Sequence, residues 1–111
     1  MEFIVRNFIK SDIQVLVDAF AKANWPKSVA IFEKYLHEQR QSKRVVWIAH
    51  TNDENVAGYV TLTRKSLYPF FANNNIPEIM DLDVLPQFRR NGIGTTLLET
   101  AEVEASNIEN T

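Results

Sequence analysis

Arg89-Arg90-Asn91-Gly92-Ile93-Gly94 stands between two runs of different character. Before it lies Ile79-Met80-Asp81-Leu82-Asp83-Val84-Leu85, apolar and strand-like. After it lies Thr95-Thr96-Leu97-Leu98-Glu99-Thr100-Ala101, which reads as a helix. The order is strand, Arg-x-x-Gly-x-Gly turn, helix. A turn of this kind leaves several backbone N–H groups pointing out of a helix N-terminus, where the first donors have no intrahelical partner. The helix dipole adds partial positive charge at the same place. The combination suits a phosphate or pyrophosphate. Glycine lets the backbone approach the anion closely, and Arg89 and Arg90 can add charge-assisted hydrogen bonds.

Two other phosphate loops do not fit. No Gly-Lys-Ser/Thr is present, as a Walker-type loop requires. A dinucleotide fingerprint needs a third, earlier glycine and a short strand opening a βαβ unit, and neither is found. The segment instead resembles the acyl-coenzyme A pyrophosphate loop of the GNAT superfamily of N-acetyltransferases, whose Gln/Arg-x-x-Gly-x-Gly/Ala pattern is met by Arg89, Gly92 and Gly94. The flanks resemble the family too, with Leu82-Asp83-Val84, then Pro86, then Phe88 before the basic residue. The resemblance runs from about Phe3 to Ala105. It implies an N-acetyltransferase taking acetyl-CoA as donor and a primary amine, on a small molecule or a protein, as acceptor. It also implies that residues 89–96 hold the pyrophosphate and that Leu82, Asp83 and Val84 line the thioester through their backbone.

Composition is compatible with this. At 111 residues the chain is one domain, read as residues 1–106 with a polar tail at 107–111. With 45% hydrophobic residues it can bury a core. A formal charge of −2 and the lack of a basic cluster give no sign of nucleic-acid binding. Without cysteine there is no disulfide framework, thiolate zinc site or Cys nucleophile. No metal-ligand spacing surrounds His37 or His50. Neither a signal peptide nor an apolar run of the ~20 residues of a membrane helix is apparent, so a cytoplasmic protein is expected.

Along the chain, Phe3-Ile4-Val5-Arg6-Asn7 reads as a strand and Ser11-Asp12 as a helix start. Ile13, Leu16, Val17 and Phe20 then share one helix face, and Trp25-Pro26 ends that helix. Residues 28–41 suggest a second helix, with Val29, Phe32 and Leu36 inward and Ile31 and Tyr35 beside them. Residues 45–49 and 56–62 form a hairpin around the turn at 52–55, and Trp47 is expected in the core. Residues 66–77 read as a long loop whose Tyr68, Phe70 and Phe71 cap the core or border an acceptor pocket. The last helix is expected to end near Ser106, with Ile93, Leu97, Leu98 and Ala101 inward.

The order β-α-α-β-β-β-α gives a mixed α/β fold. It matches the first two-thirds of the GNAT fold. The strands and helix that follow in the family, including a helix often carrying a tyrosine acid, have no counterpart in the sequence. The chain is therefore read as C-terminally truncated, with low activity alone. Two further readings stay open: a remnant that at best binds coenzyme A, or an interaction protein whose open strand edge pairs with a second copy or a partner.

Acetyl transfer needs a neutral amine, and a lysine-type amine has a pKa of ~10.4, so a base must act. Glu78, Asp81 and Asp83 are the available carboxylates of the fourth strand. Glu78 and Asp81 are the candidate catalytic pair. Glu78 lies fourteen residues before Gly92 (92 − 78 = 14), an offset that resembles the catalytic Glu of some protein-acetylating members. In a regular strand Asp81 and Asp83 share a face and Glu78 points away; a bulge would alter this.

Overall fold

In a computed structural model, which describes residues 1–65 and 76–109, the elements are strand β1 (Phe3–Asn7), helix α1 (Asp12–Lys22), helix α2 (Val29–Arg40), strands β2 (Arg44–Thr51), β3 (Val56–Thr63) and β4 (Glu78–Val84), a 3₁₀ turn (Pro86–Phe88) and helix α3 (Ile93–Glu109). The expected order is found. The strands form one antiparallel sheet in the order β1-β2-β3-β4. The proposed loop aromatics Tyr68, Phe70 and Phe71 lie outside the described residues.

Alternation along β2 and β3 sends side chains to two faces, each covered by helices. Val46, Ile48 and Tyr59 pack with Leu16 and Phe20 of α1 and with Phe32, Tyr35 and Leu36 of α2. Trp47, Ala49, Val60 and Leu62 pack with Ile93, Leu97 and Ala101 of α3. Because both faces are covered, every residue of β3 is buried. That is why β3 reads as a near-continuous apolar run rather than as an alternation.

Helix starts and ends follow local chemistry, with some differences from expectation. The Ser11 side chain makes no cap hydrogen bond. Asp12 instead reaches back to accept from the Ile9 N–H at 2.8 Å and pairs with Arg6 at 3.0 and 2.8 Å. Asn24 (φ 57°) takes the left-handed conformation that closes α1 just before Trp25-Pro26. In α2, Tyr35 is buried and Val29 is exposed, the reverse of the expected weighting. Val29 is the first helical residue, and its side chain opens onto the groove between α1 and α2. Helix α3 continues past Ser106 to Glu109, because Ile108 still packs against the α3-side core.

Candidate functional site

The fourth strand is not regular. Asp81 has φ 54°, in the left-handed region. The pairing of β3 with β4 shifts there: Tyr59 faces Asp83, while Thr61 faces Met80. Two residues of β4, Asp81 and Leu82, therefore stand opposite Val60, which is a β-bulge. The bulge changes the face of everything before it. Thr63 faces Glu78, and Tyr59, Thr61 and Thr63 share the α1–α2 face. Glu78 thus lies on the same face as Asp83, not on the opposite one as a regular strand would require.

Two tyrosines meet the two aspartates on that face. The Tyr59 hydroxyl donates to Asp83 Oδ2 at 2.8 Å, and the Tyr35 hydroxyl donates to Asp81 Oδ2. Burial, and then the hydrogen bond to the carboxylate, push both phenols well above the usual tyrosine range. Both therefore stay protonated donors at neutral pH. Lys27 Nζ forms a 2.8 Å ion pair with Asp83 Oδ2 and stands 4.4 Å from the Trp25 ring centroid, 5.4 Å from that of Phe20 and 5.8 Å from that of Tyr59. Behind Tyr35, the Arg44 guanidinium lies 4.5 Å from the ring centroid and donates to Thr61 Oγ1 at 2.7 Å. Thr61 in turn donates to the Met80 carbonyl at 3.1 Å, fixing the strand just before the bulge.

Sequence reasoning missed Lys27, Tyr35 and Tyr59 as members of this cluster. Their partners lie 56, 46 and 24 residues away, so no local spacing could reveal them. Lys27 directly after the Trp25-Pro26 helix stop carried the only hint, an aromatic near a cation.

The other edge of β4 carries the strand's outward backbone groups. Leu85 N–H donates to the Ala57 carbonyl at 2.8 Å, so alternation points Asp83 toward β3 and directs Leu82 and Val84 to the free edge. Consistent with this, the Val84 carbonyl accepts from a side chain, Arg89 Nε, at 3.1 Å. Among the described residues no strand pairs with that edge. Gly58, opposite Val84, lets the two backbones close up: a Cβ there would stand 2.5 Å from the Asp83 carbonyl oxygen.

The edge runs directly into the glycine turn. Arg90 (φ 67°) and Gly92 (φ 80°) are both left-handed. A Cβ at Gly92 would meet nothing within 4 Å, so glycine is favoured there by backbone conformation and the space in front of it is open. The Asn91 amide donates to the Phe88 and Arg89 carbonyls at 3.2 and 3.1 Å and holds the turn shut. Thr96 Oγ1 donates to the Gly92 carbonyl at 3.0 Å, while Thr95 is exposed. Ile93 is buried and anchors the helix start to the core, and Gly94 sits 3.6 Å (by its notional Cβ) from Val84 Cγ2. Arg89, besides its bond to Val84, lies 5.7 Å from the Trp25 ring centroid; Arg90 is exposed. A groove of about 520 Å³ between α1 and α2 contains none of these residues. Among the described residues no group of three or more His, Asp or Glu could hold a metal, and no helix is long and apolar enough to cross a membrane.

The profile of the GNAT acetyltransferase family matches residues 13–109. No curated protein sequence matches the chain. Among solved structures, an N-acetyltransferase from Staphylococcus aureus Mu50 aligns with a TM-score of 0.74 at 17% identity, over 96% of this chain and 68% of that one. A GNAT phosphinothricin acetyltransferase from Sinorhizobium meliloti, solved with AcCoA, gives 0.74 at 16% identity, over 96% and 61%. A glucosamine-6-phosphate N-acetyltransferase from Arabidopsis thaliana gives 0.73 at 16% identity, over 98% and 78%. The bulged strand, the glycine turn and the helix behind it all fall inside the family match, and the chain belongs to the GNAT family of acetyltransferases.

Proposed function

We propose that this chain binds acetyl-CoA along the free edge of β4 and the N-terminus of α3, and transfers the acetyl group to a primary amine presented on the α1–α2 side. The observation that carries this is the continuity of donors: outward backbone groups at Leu82 and Val84 lead into the open, left-handed turn at Gly92. The residues fit the donor. Unpaired N–H groups at the start of a 17-residue helix suit a diphosphate, and Arg90 is exposed beside them. Arg89 would bind the anion from its place on the Val84 carbonyl. The family's general reaction, acyl transfer from acyl-CoA to an amine, supports the reading.

Acetyl-CoA supplies an activated acyl carbon. In this reading the chain supplies three things. A backbone N–H of Leu82 or Val84 stabilises the negative charge that develops on the carbonyl oxygen, whereas Asp83, expected to line the thioester as well, turns its backbone toward β3. The Tyr35 and Tyr59 hydroxyls hold the carboxylates of Asp81 and Asp83 in place. Asp81, with Glu78 brought to the same face by the bulge, takes the proton of the incoming ammonium. Asp83 is not open to an incoming acceptor, because Tyr59 donates to it and Lys27 already occupies it. No part of the scheme calls on nucleic acid or a membrane, and the reading places the protein in the cytoplasm.

A panel of amines with acetyl-CoA, read by thiol release, tests the assignment. Asp81→Asn should lower turnover on the order of 10²–10⁴-fold with little change in coenzyme A affinity. Full turnover in both Asp81→Asn and Glu78→Gln would remove these carboxylates from the mechanism. The free β4 edge favours one alternative, pairing with a second copy or another chain, which size-exclusion chromatography would detect.

A further inference from the structure

Lys27 holds an unusual position for a lysine. Of the six lysines in the chain, the other five are exposed, whereas the Lys27 side chain is only 18% exposed. Its ammonium is enclosed by the rings of Trp25, Phe20 and Tyr59 and held on Asp83. Asp83 is the residue between Leu82 and Val84, whose backbone forms the proposed donor line. The chain thus places one of its own primary amines where the reading above requires an acceptor's amine: on the α1–α2 face of β4, beside the middle of that line. A carboxylate within hydrogen-bond distance is already in place to receive its proton.

We propose that Lys27 is an acetylation site of this chain, modified in cis with acetyl-CoA as donor; this rests on the donor-site reading under Proposed function. The ammonium of Lys27 gives one proton to the Asp83 carboxylate, which passes it to solvent. The free amine then bonds to the acyl carbon as the carbon–sulfur bond breaks. The electron pair leaves with the sulfur, and the second amine proton goes to it, so that coenzyme A departs as the thiol. The product is a neutral amide at Lys27. It no longer pairs with Asp83 or stacks as a cation on Trp25, and it frees that carboxylate. Only one turnover is needed and no external acceptor has to dock, so even slow chemistry becomes visible.

The full chain is incubated with acetyl-CoA, and acetylation at each lysine is followed by peptide mass spectrometry, with coenzyme A binding measured by calorimetry on the same sample. Non-enzymatic acetylation follows exposure, so it would leave Lys27 the slowest of the six. The expected result is that Lys27 is acetylated fastest, at a rate independent of protein concentration, and that urea-unfolded protein loses this preference. Asp83→Asn should slow Lys27 roughly tenfold or more while leaving Lys10 and Lys34 unchanged. If coenzyme A binds and Lys27 reacts no faster than the exposed lysines, self-acetylation is overturned and the donor site stands. If coenzyme A does not bind, both fall.

Discussion

Two glycines show how one residue type meets two different demands. Gly92 occupies φ 80° in open space, so a side chain there would be penalised by backbone strain and not by a clash. Gly58 has an ordinary backbone but no room: its notional Cβ would press on the Asp83 carbonyl and on Val84 Cα at 3.0 Å. Those are backbone atoms and cannot turn aside. Gly58→Ala should therefore cost about 1–3 kcal/mol, the range for overpacking, and should move the bulged part of β4. Urea unfolding checks the stability, and amide shifts of residues 81–84 check the displacement; an unchanged midpoint would contradict the close approach. The left-handed backbone that favours glycine at position 92 is seen only in the structure, although a turn glycine there, between a strand-like run and an amphipathic helix, was legible in the sequence. The role of Gly58 was not, since it depends on which strand lies opposite and in what register.

At the scale of elements, β4 and its partners decide the chemistry. The strand itself was readable from its apolar pattern. Its bulge left a faint mark: Ile79 and Met80 are adjacent apolar residues, after which polar and apolar residues alternate from Asp81 to Val84. One extra residue at Asp81 resolves that break in period and brings Glu78 to the face of Asp83. The tyrosines that join α2 and β3 to β4 were not readable as partners, because helix periodicity places Tyr35 on a face without naming what it touches. They make stability depend on alkaline pH. Both phenols are held above their usual value of 10.0, so the folded state keeps protons that the unfolded chain releases. Their contribution is complete below that value and is lost as pH rises beyond it. Urea midpoints measured upward from neutral pH should fall once pH exceeds the ordinary tyrosine value, and Tyr59→Phe should flatten that fall. A flat profile in the parent protein would show that the hydroxyl–carboxylate bonds do not form.

At the scale of the whole molecule, the sheet places β4 at an edge, with α3 on one face and α1 and α2 on the other. An edge with outward N–H and C=O groups is a template for another strand. The proposed coenzyme A site uses the same edge, so the two occupants compete. The chain should self-associate at high concentration, and coenzyme A should shift it toward monomer in light scattering after size-exclusion chromatography. Association strengthened by coenzyme A would argue that the ligand lies elsewhere. The order of the elements was legible in the sequence, whereas the faces that the helices cover are seen only in the structure. The meeting of Lys27, Asp83, Tyr59 and Trp25 was not, because it exists only once the α1–α2 connection folds over β4.

β4 and the turn at Gly92 are proposed to form an acyl-CoA site. Calorimetric titration of coenzyme A into the parent chain and into Gly92→Val, with far-UV circular dichroism of both, tests it most directly. The open space before Gly92 means that valine intrudes on the ligand and not on the protein, and its backbone strain should cost about 1–2 kcal/mol without undoing the fold. Saturable binding to the parent is expected, with binding to the variant weakened at least about a hundredfold, equivalent to about 2.7 kcal/mol, and nearly superimposable spectra. Equal affinity in the two proteins, with spectra unchanged, would contradict the proposed site.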